Sequence, residues 1–171
     1  MFEILLLQSL VSGILMGGIY ALLGVGFSLT WGVMRVINIA HAAFGVLAAY
    51  IAYSLLARTG LDPLVSLLIS LPCFFFGGML LHRGLIRPIT KARETIVASM
   101  VLTFGLAIVV ENIMLLIWKA DPRVLKPSYS GTAVFIGEVG LPIPQLVGFA
   151  LAVAGILFLY ALVLLSSAKW T

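Results

Sequence analysis

Charge is what this chain has least of. Among 171 residues there are 10 Lys or Arg and 6 Asp or Glu, 9% of the total, where an ordinary soluble domain carries about 25%. No charged residue falls between Glu3 and Arg35, Arg35 and Arg58, Asp62 and Arg83, Glu94 and Glu111, Glu111 and Lys119, or Glu138 and Lys169. Cysteine is nearly absent too. Cys73 stands alone in an apolar run, which excludes an internal disulfide and a Cys-based metal site. Only two histidines occur, His41 and His82, and nothing in the sequence brings them together, so no metal centre is expected. The motifs GxxxxGK[ST], HExxH and GxSxG are missing, as is a carboxylate pair placed for proton transfer. The chain therefore reads as neither an ATPase nor a membrane enzyme, and no cofactor is expected in it. There is no arginine ladder of the voltage-sensor kind. Nor is there a basic stripe interleaved with aromatics, so nucleic acid is not an expected partner.

What fills the space is apolar. The composition is 63% hydrophobic and the mean hydropathy is +1.23. Spanning the hydrocarbon core takes roughly 20 mostly apolar residues per helix. Five segments reach that scale, at about 4–30, 36–57, 64–82, 96–118 and 145–168. Runs such as LAVAGILFLYALVLL do not alternate apolar with polar residues, as the strands of a membrane barrel do. The expected fold is an all-α polytopic transmembrane bundle of about five spans, read as one region over 1–171. The first residues, MFEILLLQ, lack the positive start of a signal peptide, so the first segment is expected to stay as a membrane helix.

The joints carry the charge and the breakers. Gly60 and Pro63 end and begin helices around the short joint 58–63. The joint 83–95 holds Arg83, Arg87, Lys91 and Arg93 against Glu94 alone, whereas 119–144 has Lys119, Arg123 and Lys126. By the excess of Lys and Arg in cytoplasmic loops, 83–95 is the expected cytoplasmic loop, with Lys169 on the same side. Five full spans then put the N-terminus outside, and a re-entrant second segment would put it inside. The net charge of +4 suits loops beside anionic lipid. Within 119–144, the stretch FIGEVGLPIP is expected to form a small hairpin outside the membrane.

A few residues interrupt the apolar pattern. Gly13 and Gly17 form a GxxxG pair with Gly24 seven residues on, a pattern that lets membrane helices approach closely. Arg35, Asn38 and His41 crowd the start of the second segment, which is expected to be broken or partly re-entrant there. Arg35 reads best as snorkelling to headgroups. Asn38 and His41, three apart, share a helical face and either bond a broken helix end or line a pathway. Glu111 and Asn112 intrude about two turns before the fourth segment ends. Glu111 is expected to pair near the interface with Lys119 or Arg123, with a pathway-lining role as the alternative.

Four pieces in order resemble one family. They are INIAHAAFGVLAAY (Ile37 to Tyr50) behind the glycine-rich lead-in GGIYALLGVGFSLTWGVMRVIN, then Arg87-Pro88, TFGLAIVVENI (Thr103 to Ile113) and ADPR (Ala120 to Arg123). Together they resemble the inner-membrane permeases of branched-chain amino-acid ABC importers, over essentially the whole chain. Two departures stand out. Ala42 and Ala43 follow His41 where the family usually has glycine and an acidic residue. The chain also reaches Thr171 where the family enters the loop that docks on the ATP-binding subunit, so the N-terminal part of a permease is expected, unable to import alone. The resemblance implies a multi-pass protein of the bacterial inner membrane, paired with a second permease subunit. It also implies cytoplasmic subunits that use ATP and a soluble binding protein that delivers the amino acid. Within the same resemblance, urea or short amides are the alternative cargo. An ATP-independent carrier or channel is the reading from another class, but no second copy of the Asn-x-x-His pattern signals the inverted repeat such carriers often have.

Overall fold

The computed structural model describes residues 2–89, 94–121 and 123–167, without the side chains of 166 and 167. Its helices are α1 (Phe2–Met34), α2 (His41–Thr59), α3 (Pro63–Leu81), the three-residue turn α4 (Arg87–Ile89), α5 (Thr95–Trp118) and α6 (Ile143–Ser167). A two-stranded antiparallel hairpin, β1 (Ala133–Ile136) and β2 (Val139–Pro142), precedes α6. Five helical stretches are long and apolar enough to cross a bilayer: α1, α2, the continuous run from α3 to α4, α5 and α6. The molecule is a polytopic helical membrane protein. Its chain divides into two compact units, Phe27–Pro127 and Met1–Gly26 with Ser128–Thr171, where the sequence reads as one region.

In the second of these units, α1 and α6 lie side by side through glycine. A Cβ at Gly18 would collide with the ring of Phe149, and one at Gly155 would press on Leu22 at 3.1 Å. Gln8 clamps the hairpin, its Nε2 donating to the Gly140 carbonyl at 2.6 Å and its Oε1 accepting from the Gly140 N–H at 2.9 Å. Gly137 takes φ +64 in the two-residue turn between Ile136 and Val139, the left-handed backbone that the tight hairpin turns need. These contacts pair Gln8 with Gly140, Gly18 with Phe149 and Leu22 with Gly155, so α1 and α6 run parallel. Parallel first and last spans require an odd number of crossings between them. With α3–α4 and α5 both crossing, α2 must cross as well. The expected break thus lies ahead of α2, at 35–40, and the 19-residue α2 itself is a full span rather than a re-entrant one.

The glycines singled out by spacing do not make this packing. A Cβ at Gly13, Gly17 or Gly24 meets nothing within 4 Å in the chain. The reason is geometric: all three sit on another side of the helix from Gly18, and a GxxxG spacing marks a permissible approach without saying which face a partner takes.

In the unit Phe27–Pro127, α2 packs against both α3 and α5. The joint between α2 and α3 follows the expected signals. Gly60 takes φ +69 and donates its N–H to Leu56 O, while Asp62 caps α3 by accepting from Leu64 N at 2.8 Å, with Pro63 in the first turn. The end of α3 departs from expectation. Instead of a loop from 83, His82–Ile86 continue as a π-helical turn, with Arg87 N–H donating to His82 O, and α4 follows. Pro88 explains it, because a proline ring clashes with the carbonyl four residues back and a π-turn opens the ladder to admit it. Arg83 and Arg87 are therefore on the helix rather than in the loop. Lys91 and Arg93 lie outside the described residues.

The stretch 35–40 is not helical. Arg35 closes α1 with φ +51 and its N–H on Trp31 O. Beyond it, α5 replaces the missing helical bonds. Ile37 N–H donates to Ser99 Oγ at 3.2 Å, Ile39 N–H donates to Thr103 Oγ1 at 3.0 Å, and Thr103 Oγ1 lies 3.0 Å from Ile37 O and 2.7 Å from Ser99 O. Val36 and Ala40 are wholly buried there. Below them Ala40 and Ala43 join Ala107, Val110 and Met114 of α5 in the core cluster of this unit.

Two outcomes follow for the detergent-solubilised chain. Gly18→Val should lower stability by about 1–3 kcal/mol through over-packing, with Phe149→Ala restoring it, while valine at Gly13 or Gly17 should change little. Thermal unfolding distinguishes the two cases. Thr103→Val should cost about 1–3 kcal/mol by stranding the Ile39 N–H, and Thr103→Ser should stay near the native midpoint.

Candidate functional site

The stretch 35–40 opens onto a cavity of about 640 Å³ inside the unit Phe27–Pro127. Three elements wall it. The end of α1 and the non-helical stretch supply Thr30, Met34 and Asn38. From α2 come His41, Phe44, Leu47 and Ile51, and from α3 with its π-turn Cys73, Phe74, Gly77, Gly78, Leu81, His82 and Ile86. Leu106 of α5 closes the floor.

Asn38 and His41 meet on this cavity because the chain leaves helical geometry between them. His41 N–H donates to Asn38 O at 3.2 Å as α2 begins, which sets both side chains on the same side of the turn. The His41 ring stands edge-on to Phe27 with centroids 6.4 Å apart. Asn38 Oδ1 and His41 Nε2 are buried, and neither has a hydrogen-bond partner among the described residues. Buried polar atoms nearly always find a partner, and leaving one unpaired costs about 1–3 kcal/mol. Both residues line the cavity, but these two atoms expose almost no surface to it.

His82 also lines the cavity, so the fold brings together the two histidines that the sequence left apart. No group of three or more His, Cys, Asp or Glu side chains suited to a metal occurs among the described residues.

The other polar intrusion lies elsewhere. Glu111 and Asn112 are exposed on α5 and absent from the cavity wall. Asn112 Nδ2 donates to Ile108 O one turn back at 2.8 Å. The pairing expected for Glu111 is not made, because Arg123 instead reaches Asp121 at 3.4 Å. Arg83 and Arg87 are exposed at the far end of the α3–α4 run. Toward the other end of α2, Trp118 stacks on Tyr50 at 5.1 Å and donates Nε1–H to Ser54 Oγ at 2.7 Å. Beside them is a smaller hollow of about 290 Å³, lined by Val46, Ala49, Tyr50, Tyr53, Arg123 and Leu125.

Sequence reasoning missed Ser99, Thr103, Gly77 and Gly78. The hydroxyls had a readable signal: Ser99, Thr103 and Ala107 recur every four residues and make one small, polar stripe on an otherwise greasy helix. The Gly77-Gly78 pair had none, since adjacent glycines inside an apolar span name no neighbour.

Comparison with known proteins agrees with this architecture. Over 140 residues the chain is 29% identical to the high-affinity branched-chain amino acid transport system permease protein BraD of Pseudomonas aeruginosa, covering 75% of this chain and 44% of that protein. It is 22% identical over 114 residues to the permease protein LivH of the corresponding high-affinity system of Escherichia coli, covering 62% of this chain and 36% of that protein. The LivH of Salmonella typhimurium matches at 21% over the same length. The chain thus spans less than half the length of these curated relatives. No solved structure matches it. The family model for the permease component of branched-chain amino acid transport systems matches residues 9–168, and the chain belongs to that family.

Proposed function

We propose that this chain forms membrane-spanning part of an ABC importer for branched-chain amino acids, in the bacterial inner membrane. The observation that carries this reading is the family match across residues 9–168, coincident with five helices able to span a bilayer. The chain carries no catalytic machinery of its own in this reading. A second permease subunit completes the pathway, cytoplasmic subunits bind and hydrolyse ATP, and a soluble protein delivers the amino acid from outside. The loop after α4, with Lys91 and Arg93 beyond the helical Arg83 and Arg87, faces the cytoplasm by its cation excess. Because α1 and α6 run parallel, the N-terminus and the hairpin then both face outward. A nucleotide can drive such a cycle only through different affinities of the ATP-binding subunits for different permease conformations.

Deleting the coding sequence from its host should abolish most high-affinity uptake of radiolabelled leucine, and restoring it should return that uptake. The restored uptake should stop when ATP is depleted with the proton gradient kept intact. Leucine uptake unaffected by the deletion, or persisting without ATP, would overturn the proposal, the latter in favour of a secondary carrier. Restored uptake of urea or acetamide in place of leucine would move the cargo to short amides.

A further inference from the structure

The surface that the cavity beside 35–40 offers is mainly apolar. Phe44, Leu47, Ile51, Phe74, Leu81 and Ile86 line it, whereas Asn38 Oδ1 and His41 Nε2 expose almost nothing. Water needs about two to four polar partners to settle in such a space. Leaving the space empty is costly as well, because the lining forfeits the dispersion contacts that close packing would supply. Gly77 and Gly78 enlarge it, since a Cβ on either meets nothing within 4 Å. Glycine inside a helix is less favourable than alanine. At Gly18 the close approach of Phe149 offsets that, and no such approach occurs at Gly77 or Gly78 among the described residues.

Its position in the bilayer is as telling as its lining. Along α3 and the π-turn the wall runs from Cys73 to Ile86, about 20 Å at 1.5 Å per residue. Cys73 lies about 15 Å along the helix from Pro63, near the middle of a hydrocarbon core roughly 30 Å thick. Cys73 is exposed, so the cavity reaches the surface of the chain at mid-bilayer. His82 and Ile86 line its other end. The next residue after each is an arginine, Arg83 and Arg87, and both are exposed. Four residues apart, these cations are neighbours along one side of the helix. An apolar trough that starts at mid-bilayer and ends beside two cations follows the layout of a phospholipid in one leaflet.

We propose that this cavity is a binding site for an anionic phospholipid of the leaflet on the α4 side. The Arg83 guanidinium, beside Arg87, donates to its phosphate. One acyl chain lies among Phe44, Leu47 and Phe74, in the space that Gly77 and Gly78 leave open. A tail gains no hydrophobic free energy by leaving other tails, so the arginines set the preference for an anionic headgroup over a zwitterionic one. The site goes beyond the transport reading and depends neither on the cargo nor on which compartment the α4 side faces.

The test uses the full chain, with the subunits that copurify with it, in phosphatidylcholine nanodiscs. These carry a trace of phospholipid with a photoreactive diazirine in the middle of one acyl chain. After illumination, peptide mass spectrometry should find adducts on the cavity residues of α2 and α3. A phosphatidylglycerol probe should label them about fivefold or more above a phosphatidylcholine probe with the same tail, as one or two interfacial arginines supply. Replacing both cations, by Arg83→Gln with Arg87→Gln, should bring that ratio close to one. Gly77→Leu adds a side chain where a Cβ meets no neighbour and should remove the cavity adducts. Adducts on the exposed Phe75 and Phe76 should persist in it, which shows that the variant is folded in the bilayer. Cavity residues left unlabelled while Phe75 and Phe76 react would overturn the site. Equal labelling by the two probes, or cavity adducts unchanged in Gly77→Leu, would reduce it to ordinary lipid contact and overturn it too. Loss of leucine uptake or of its ATP dependence bears on the import reading alone.

Discussion

Backbone N–H and C=O groups inside a bilayer have no water to fall back on, and each one left unpaired costs several kcal/mol. Five apolar helices meet that demand internally. The stretch 35–40 cannot, because it has left the helical ladder, and everything distinctive about this chain follows from how it is held. Ser99 and Thr103 of α5 supply the bonds that a helix would have made. With its backbone held, the stretch buries Val36 and Ala40 completely and places Asn38 on the cavity wall. Two hydroxyls thus make a non-helical segment tolerable beside span-length helices.

The same economy governs the helix contacts. Apolar side chains gain nothing by leaving lipid for one another, so close packing through small residues carries the association. Ser66 and Ser70 are the buried residues of α3. Ser99, Thr103 and Ala107 begin the buried stripe of α5, and Gly18, Gly148 and Gly155 sit where α1 meets α6. Large residues such as Leu116 and Phe158 point outward. The inversion of the soluble pattern, small inside and large outside, is what the composition alone could not display.

Much of the fold was legible because the signals were local. Charge-free windows marked the spans, Gly60 and Pro63 marked the joint after α2, and the stretch FIGEVGLPIP marked the hairpin. Where the reading fell short, the missing fact was a partner distant in sequence. Gly18 is no better a packing glycine than Gly17 until Phe149, 131 residues on, settles against it. The charges at Arg83 and Arg87 looked like a loop because charge was read as the end of the span. Helices end where backbone bonds end, however, and the π-turn carries those bonds past both arginines to Pro88. Asn38 and His41 were visible as polar residues in a greasy stretch. That they face a cavity shared with His82 and two glycines required the fold.

The groups that hold the stretch 35–40 and those that line the cavity come from different elements. The hydroxyls that fix the stretch belong to α5, whereas the groups facing the cavity belong to the stretch itself, α2 and α3. α5 contributes a single floor residue, Leu106. α3 is interrupted twice along that wall, by Pro72 inside the helix and by the π-turn that opens the ladder for Pro88. The side-chain bonds that hold 35–40 run to α5, so they do not depend on the α3 wall.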